Sequence, residues 1–412
     1  MRIIIASINY WPEETGIGAL TTYRAEYLAA AGHDVSVCTA FPYYPEWKVA
    51  TKYRGRLFAD EERNGVRIHR SYSWVPNPVT PLKRVLHEAS FIVSSLMRMA
   101  ALKRPNLILV VSPPLGLCAL AILFSRLWRV PFVLDVQDLQ PDAAAEFGML
   151  PTWAINLMYR VESAAYRHAT LVSTLTRGMR ERIIAKGVPH EKVSLFEFKA
   201  DESLTEISPE EGVRFRAHYG FERKFIVSHS GNLGVKQGLD VILDAAAMNL
   251  GDESMLFLLV GDGSAREKIE RRANELSLTN VRFMPVLDFG EFRGLLAASD
   301  VCLVTQRKSV SDIFFPSKMV TYLKAGCPVI AAVNCNSEVA QVLREAGAGV
   351  VVEPENAEAL LRAICELRGS DLQKYRRSAR EFAGRRWSPA VLGHIEKSLI
   401  AVSLSDPAWP AR

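Results

Sequence analysis

The chain has 412 residues, 49% of them hydrophobic and 23% charged, with a formal net charge of +5. That balance excludes a disordered or fibrous chain and supplies apolar material for two cores. The charge is too mild to point to nucleic acid, and no nucleic-acid partner is expected.

Six cysteines (38, 118, 302, 327, 335 and 365) are scattered without a Cys-x-x-Cys pair. They read as reduced, buried thiols of a cytosolic protein. The start, Met1 to Ile5, reads as a short strand and lacks the length of a signal peptide. The longest apolar run, Leu115 to Leu134, is broken by Arg126, Arg129 and Pro131. It reads as a buried helix and a strand, not as a membrane span.

From the N-terminus, strands are predicted at Ile3–Ile8, Asp34–Cys38, Val66–His69, Leu107–Val111, Phe132–Val136 and Leu171–Thr174. Helical patterns lie between them at Ala19–Ala31, Leu82–Leu102, Leu115–Trp128, Trp153–His168 and Arg177–Ala185. Such alternation argues a parallel sheet covered on both faces. Glu197 to Glu210 is polar and reads as a linker, with a helix start at Ser208-Pro209. Strands then resume at Phe225–Ser228, Met255–Val260, Val281–Met284, Val301–Val304, Val329–Ala332 and Gly349–Val352. Leu372 to Leu404 looks helical with no strand to pair with. The expected fold class is α/β, with two doubly wound, Rossmann-like domains facing a cleft. The boundaries are 1–198, 199–385 and a helical segment 386–412 that crosses back to the first domain.

Three loops of the second half have the chemistry of diphosphate binding. His229 to Gly238 (HSGNLGVKQG) follows a strand; its glycines admit close backbone approach and Lys236 supplies a point charge. Val260-Gly261-Asp262-Gly263-Ser264 stands at another strand end. The third runs from Phe314 to Ile330 (FFPSKMVTYLKAGCPVI), with Pro316 in a first helical turn. Ser317 and Lys318 then fall where free N–H groups and the positive dipole end attract an anion. Each loop alone is also a tight turn or a helix cap; three at strand ends of one domain favour a ligand site.

Together with Asn9-Tyr10-Trp11-Pro12-Glu13, Thr15-Gly16-Ile17-Gly18, Ser112-Pro113-Pro114 and Asp135 to Asp142 (DVQDLQPD), these loops resemble GT-B-fold retaining glycosyltransferases of family four. The likeness covers nearly the whole chain and is strongest to the colanic-acid-type enzymes of exopolysaccharide biosynthesis. The resemblance implies a nucleotide-sugar donor held mainly by the C-terminal domain and an acceptor on the N-terminal one. Lys236 would match the lysine on the diphosphate, and Asn232 stands near where many relatives carry a phosphate-binding arginine. Gly231, Gly261, Asp262, Gly263, Pro316, Ser317 and Lys318 would complete the cradle. Gly16 and Gly18 would meet the diphosphate or acceptor, and Met284, Pro285 and Val286 the nucleobase. Gln137 and Asp138 would face the acceptor, with Lys236 and Asp138 as the catalytic pair.

The chain departs from the family at three places. Ile313 and Thr321 stand where many relatives have two glutamates, the second on the donor ribose. Gln137 replaces a histidine, so it can hydrogen-bond but not carry charge. Glu197-Phe198-Lys199-Ala200-Asp201 keeps only the aspartate of the usual pre-linker segment. GDP-fucose is the donor suggested first, UDP-sugars next. With no Asp-x-Asp pair in a suitable loop, neither a metal nor any other cofactor is expected.

The helical stretch 82–102 carries a wide apolar face: Leu82, Val85, Leu86, Ala89, Ile92, Val93, Leu96, Met97 and Ala100. Phe91 projects on the other side among Arg84, His87 and Arg98. Residues 83–104 hold five Lys or Arg against Glu88 alone. The expectation is that the apolar face enters the core, while Arg84, Phe91 and Arg98 meet an anionic inner-membrane surface. The same pattern also suits a core helix with a solvated charged face. The membrane reading gives a cytoplasmic, peripheral protein acting on a polyprenyl-diphosphate-linked saccharide. Competing readings are a nucleotide-sugar epimerase or phosphorylase, whose residue sets cannot be placed here, and a degenerate transferase serving as partner subunit or nucleotide-sugar sensor.

Overall fold

The computed structural model describes residues 1–13, 16–146, 148, 150–309 and 315–405. Thr15, Ile313 and Phe314 of the motifs above lie outside them. Contacts divide the chain into two compact units: Met1–Phe198 with the residues from Pro389 on, and Lys199–Ser388.

The first unit runs β1 (Arg2–Ala6), α1 (Gly16–Ala30), β2 (Asp34–Ala40), β3 (Phe58–Arg63), β4 (Val66–Ser71), α2 (Pro81–Ala100) and β5 (Leu107–Ser112). It continues with α3 (Leu117–Trp128), β6 (Phe132–Val136), α4 (Gln140–Glu146), α5 (Thr152–His168), β7 (Leu171–Thr174), α6 (Arg177–Ala185) and β8 (Val193–Leu195). Among the described residues these strands form an eight-stranded sheet, ordered β3-β4-β2-β1-β5-β6-β7-β8. The pairs are parallel except β3–β4. β5 and β6 are buried throughout, as continuous apolar strands in a covered sheet should be. β3 is the one long strand that sequence patterning misses. Its residues, Phe-Ala-Asp-Glu-Glu-Arg, are charged because it is an edge. The signal that marks it is Asn64-Gly65, both at positive φ, in the turn that joins β3 to β4.

The second unit contains α7 (Pro209–Tyr219), β9 (Phe225–Ser230), α8 (Asp240–Met248), β10 (Met255–Val260), α9 (Arg266–Glu275), β11 (Val281–Met284) and α10 (Phe289–Ala298). Then come β12 (Val301–Thr305), α11 (Ser317–Ala325), β13 (Val329–Ala332), α12 (Glu338–Ala346), β14 (Gly349–Val352), α13 (Ala357–Arg368) and α14 (Leu372–Arg386). Among the described residues its six strands are all parallel, in the order β11-β10-β9-β12-β13-β14. The segment before α7 is no loose tether. Ala200, Leu204 and Ile207 are buried, and Glu202 pairs with Lys324 at 2.8 Å. After α14 the chain turns at Trp387-Ser388-Pro389, and α15 (Ala390–Leu404) joins the first unit. Leu392, Ile395 and Leu399 pack into its core, and Glu396 meets His33 at 3.0 Å. Arg386 to Ser388 stay with the second unit, so the crossing begins at Pro389. Four cysteines are buried, but Cys335 and Cys365 are exposed; all six are free thiols.

α2 sits the other way round from expectation. Phe91 is fully buried, and His87, Ser94, Ser95 and Met99 go inward with it. Leu82, Val85, Leu86, Val93, Leu96 and Met97 are 37–69% exposed. Phe91 and Arg98 therefore do not face outward; of the three residues named for a membrane, only Arg84 does. The reason is polar. The inward side chains find partners on neighbouring backbone: His87 Nδ1 lies 2.7 Å from the Trp74 carbonyl, and Ser94 Oγ donates to the Tyr72 carbonyl at 2.6 Å. Arg98 pairs with Asp60 of β3 and lies over the Phe58 ring at 5.7 Å. The unforeseen edge strand thus supplies the anion that draws the charged face in.

Candidate nucleotide-sugar site

In a doubly wound sheet, ligands bind beyond the carboxyl ends of strands where the strand order reverses. In the second unit that point lies between β9 and β12; in the first, between β1 and β5.

The loops after β9, β10 and β11 form one hydrogen-bonded ledge. Gly231 N–H donates to Val260 O at 2.9 Å, Leu233 N–H to Asp262 O at 2.8 Å, and Gly261 N–H to Met284 O at 3.1 Å. Gly261 and Gly263 have φ of +129° and +157°. A Cβ on Gly261 would overlap the Gly231 carbonyl, and one on Gly263 would meet Asn232 and the Leu233 backbone. These two glycines are required by backbone contact, and they bring Gly231, Asn232 and the Gly261-Asp262-Gly263 turn together. Asp262 accepts from Gly263 N–H at 2.7 Å and so shapes the turn. Arg266, absent from the sequence reading, donates to the Gly261 carbonyl and, at 3.2 Å, to that of Met284. Pro285 and Val286 follow, both exposed.

α11 closes the ledge. It begins at Ser317, with Pro316 as the flanking residue rather than the first helical one. Its first N–H groups have no partner within the helix, as at any helix start. Lys318, the second residue, reaches back to β9: its Nζ lies 2.8 Å from His229 Nε2. A Cβ placed on Gly231 would be 3.7 Å from that Nζ. Burial lowers the Lys318 pKa to about 7. His229 is held well below its ordinary pKa, first by burial and then by the Lys318 charge. A neutral His229 with Nε2 as acceptor carries its proton on Nδ1. The Tyr322 hydroxyl takes the Ser230 N–H at 2.8 Å and pins α11 to the end of β9. His229 and Tyr322 were missed because a lone buried His or Tyr reads as core. Thr321 turns its hydroxyl toward the Ser317 carbonyl at 3.4 Å. Lys236 lies half-buried in the short turn Val235–Gln237, whose place is fixed by Arg307 N–H donating to the Lys236 carbonyl at 3.0 Å.

In the first unit, α1 starts at Gly16, with φ of +56°, and a Cβ on Gly18 would overlap the Glu13 carbonyl oxygen. The buried Glu13 carboxylate accepts from Tyr43 N–H at 2.8 Å, Tyr44 N–H at 2.9 Å and Asn9 Nδ2 at 2.7 Å. Burial raises its pKa. It thereby ties the loop after β1 to the loop after β2. Beyond β6, Gln137 is buried and donates through Nε2 to Asp135 at 2.9 Å. Asp135 also holds Arg24 at 2.6 Å and Ser173 at 2.8 Å. This leaves the buried Gln137 Oε1 without a hydrogen-bond partner among the described residues. Asp138, next along, is half-buried ahead of α4.

The sequence that builds these two units matches known families. Residues 15–197 match a glycosyl transferase 4-like domain and residues 224–369 a glycosyl transferases group 1 domain. A putative colanic acid biosynthesis glycosyl transferase of Escherichia coli K12, WcaI, is 34% identical over 394 residues, 93% of this chain and 96% of that protein. The chain belongs to the GT-B glycosyltransferases of family four. It is a sugar-transferring enzyme by that kinship. Among solved structures, Anabaena HepE in complex with UDP has a TM-score of 0.74 at 18% identity, covering 97% of this chain and 100% of that one. Sucrose-phosphate synthase of Thermosynechococcus elongatus has a TM-score of 0.75 at 19% identity, covering 97% and 99%. Both likenesses are of fold.

Proposed function

We propose that this transferase moves a sugar from a nucleotide-diphosphate donor to a lipid-linked saccharide during bacterial surface polysaccharide synthesis, with retention at the anomeric carbon. The observation that carries the donor side is Lys318, set by His229 over the glycine ledge at the strand-order reversal. The ledge offers backbone N–H groups, the start of α11 a positive dipole end, and Lys236 a second cation. Asn232 leaves one family cation unfilled, and Lys318 stands beside Gly231, the residue before it. The UDP in HepE and the GDP-mannose named for a 26%-identical Corynebacterium glutamicum mannosyltransferase support a nucleoside-diphosphate sugar. GDP and UDP both remain candidates, with GDP-fucose the first sugar nucleotide to try.

Catalysis would then be leaving-group stabilisation and positioning. The glycosidic C–O bond to the diphosphate breaks, and the sugar gains oxocarbenium character. The acceptor hydroxyl attacks from the same face and gives its proton to the departing phosphate. Lys236 and Lys318 neutralise the diphosphate as its charge grows, which makes a metal unnecessary. Gln137 Oε1 accepts from an acceptor hydroxyl, and Asp138 serves the same acceptor side. The acceptor is a polyprenyl-diphosphate saccharide, met at the inner face of the membrane; no described helix is long and apolar enough to cross a bilayer.

The test is thermal unfolding with GDP, UDP, dTDP and their sugars, with and without EDTA. At a hundredfold excess over Kd, a ligand of the folded state adds about 2.7 kcal/mol. One base should raise the melting temperature by several degrees, unaffected by EDTA. If none does, the donor reading fails.

A further inference from the structure

The outward face of α2 does not end at that helix. α3 lies against both α2 and α5, and its start meets α2 where Gly116 approaches Ile92. On α3, Leu127 is 69% exposed; on α5, Trp153 is 70% exposed. With the six α2 side chains, they put eight large exposed apolar groups on three neighbouring helices, more than soluble proteins usually leave open to water.

Basic side chains outnumber acidic ones around it. Arg84, Arg126, Arg160 and Arg167 are exposed on the three helices, with Lys103, Arg104 and Arg129 just beyond their ends. The acids of α2, α3 and α5 are Glu88 and Glu162, and both are drawn inward. Glu88 meets Arg84 at 3.3 Å and Gln140 at 3.2 Å; Glu162 meets Lys186 at 2.8 Å. The adjoining α4 adds one exposed carboxylate, Glu146. A second copy of this chain on a two-fold axis would set like charges against each other. An anionic bilayer satisfies both features, taking apolar side chains at the acyl boundary and arginines among the headgroups.

We infer that the α2–α3–α5 face docks on an anionic membrane surface through its apolar side chains, with the arginines as the electrostatic rim. This deepens the membrane side of the function proposed above. It reverses the face of α2 that sequence alone assigns to lipid. It makes no use of the nucleotide site, so either can fail without the other.

The full-length protein is sedimented with phosphatidylcholine vesicles, with and without phosphatidylglycerol, while emission at Trp153 is followed against Trp153→Phe. Binding to the anionic vesicles and a blue shift that Trp153→Phe removes are expected. Val93→Glu/Leu127→Glu should lower the partition coefficient at least tenfold with the melting temperature retained. Arg126→Glu/Arg160→Glu should lower it and flatten its salt dependence. Phe91→Tyr, an inward control, should bind as wild type if it folds. The inference is overturned by any of three results. These are a wild type that ignores anionic vesicles, a Val93→Glu/Leu127→Glu protein that binds undiminished, and a dimer in sedimentation velocity that this variant dissolves.

Discussion

The glycine ledge of the second unit and helix α2 of the first carry equally clear sequence patterns, yet only one pattern fixes orientation. At the ledge, Gly261 and Gly263 touch other backbone, so residue identity and geometry are one constraint. In α2 the periodicity defines two faces but says nothing of which one the protein covers. The side chosen was decided by partners distant in sequence: the Trp74 carbonyl for His87 and Asp60 for Arg98. A hydrophobic stripe is evidence of burial only when the other stripe has nothing to bind.

A pair of truncations on α2 should differ most in cost. Phe91→Ala removes a fully buried ring and should cost about 3–5 kcal/mol. Val93→Ala, two residues on and 61% exposed, should stay within about 0.5 kcal/mol. Urea unfolding of both variants decides it. Equal losses, or a larger loss at Val93, would mean that the helix is seated as its periodicity suggests.

Most of the fold was legible because it depends on local pattern. Met255–Val260, Val281–Met284, Val329–Ala332 and Gly349–Val352 are strands with the bounds that apolar runs predict. β3 was not legible from pattern, since an edge strand has no need of apolar alternation, although Asn64-Gly65 announced its turn. At the site, the glycine loops were visible as motifs. Lys318 was read for its N–H, whereas the structure brings its ammonium to His229 from 89 positions away in sequence. Long-range pairing of this kind leaves no local trace. The same holds for Arg266 on the Met284 carbonyl and for the Asp135 carboxylate that takes the Gln137 amide, which is held by the distant Arg24 and Ser173.

Next in size is Lys236→Ala. If the lysine neutralises the departing diphosphate, its loss should lower turnover about 10²–10³-fold, as removal of one preorganised donor does elsewhere. The rate of transfer to a lipid-linked acceptor measures it, with the melting temperature as a check on folding. Wild-type turnover would remove Lys236 from the mechanism and leave the ledge with Lys318 as its proposed cation.

The smallest effect is the most specific to this chain. Desolvation in its half-buried seat lowers the Lys318 pKa to about 7. Below that pH it is charged and suits a diphosphate; above it the neutral amine does not. Nucleotide affinity should therefore fall as pH rises past 7, by at most about tenfold per unit for one proton. Over the same range binding should take up a proton, seen by calorimetry in buffers of different ionisation heat. Lys318→Arg stays charged and should hold its affinity flat to pH 9. An affinity for the wild type that is flat above pH 7 would exclude Lys318 from the diphosphate. Stability runs in the opposite sense. An unfolded lysine titrates near about 10.4, so between pH 7 and that value the unfolded chain binds more protons and stability rises with pH. Below pH 7 the cost of the buried charge is present in full. Lys318→Met should therefore stabilise the empty protein, most at low pH, while weakening nucleotide binding. Such a pairing marks a side chain kept for its ligand and not for the fold.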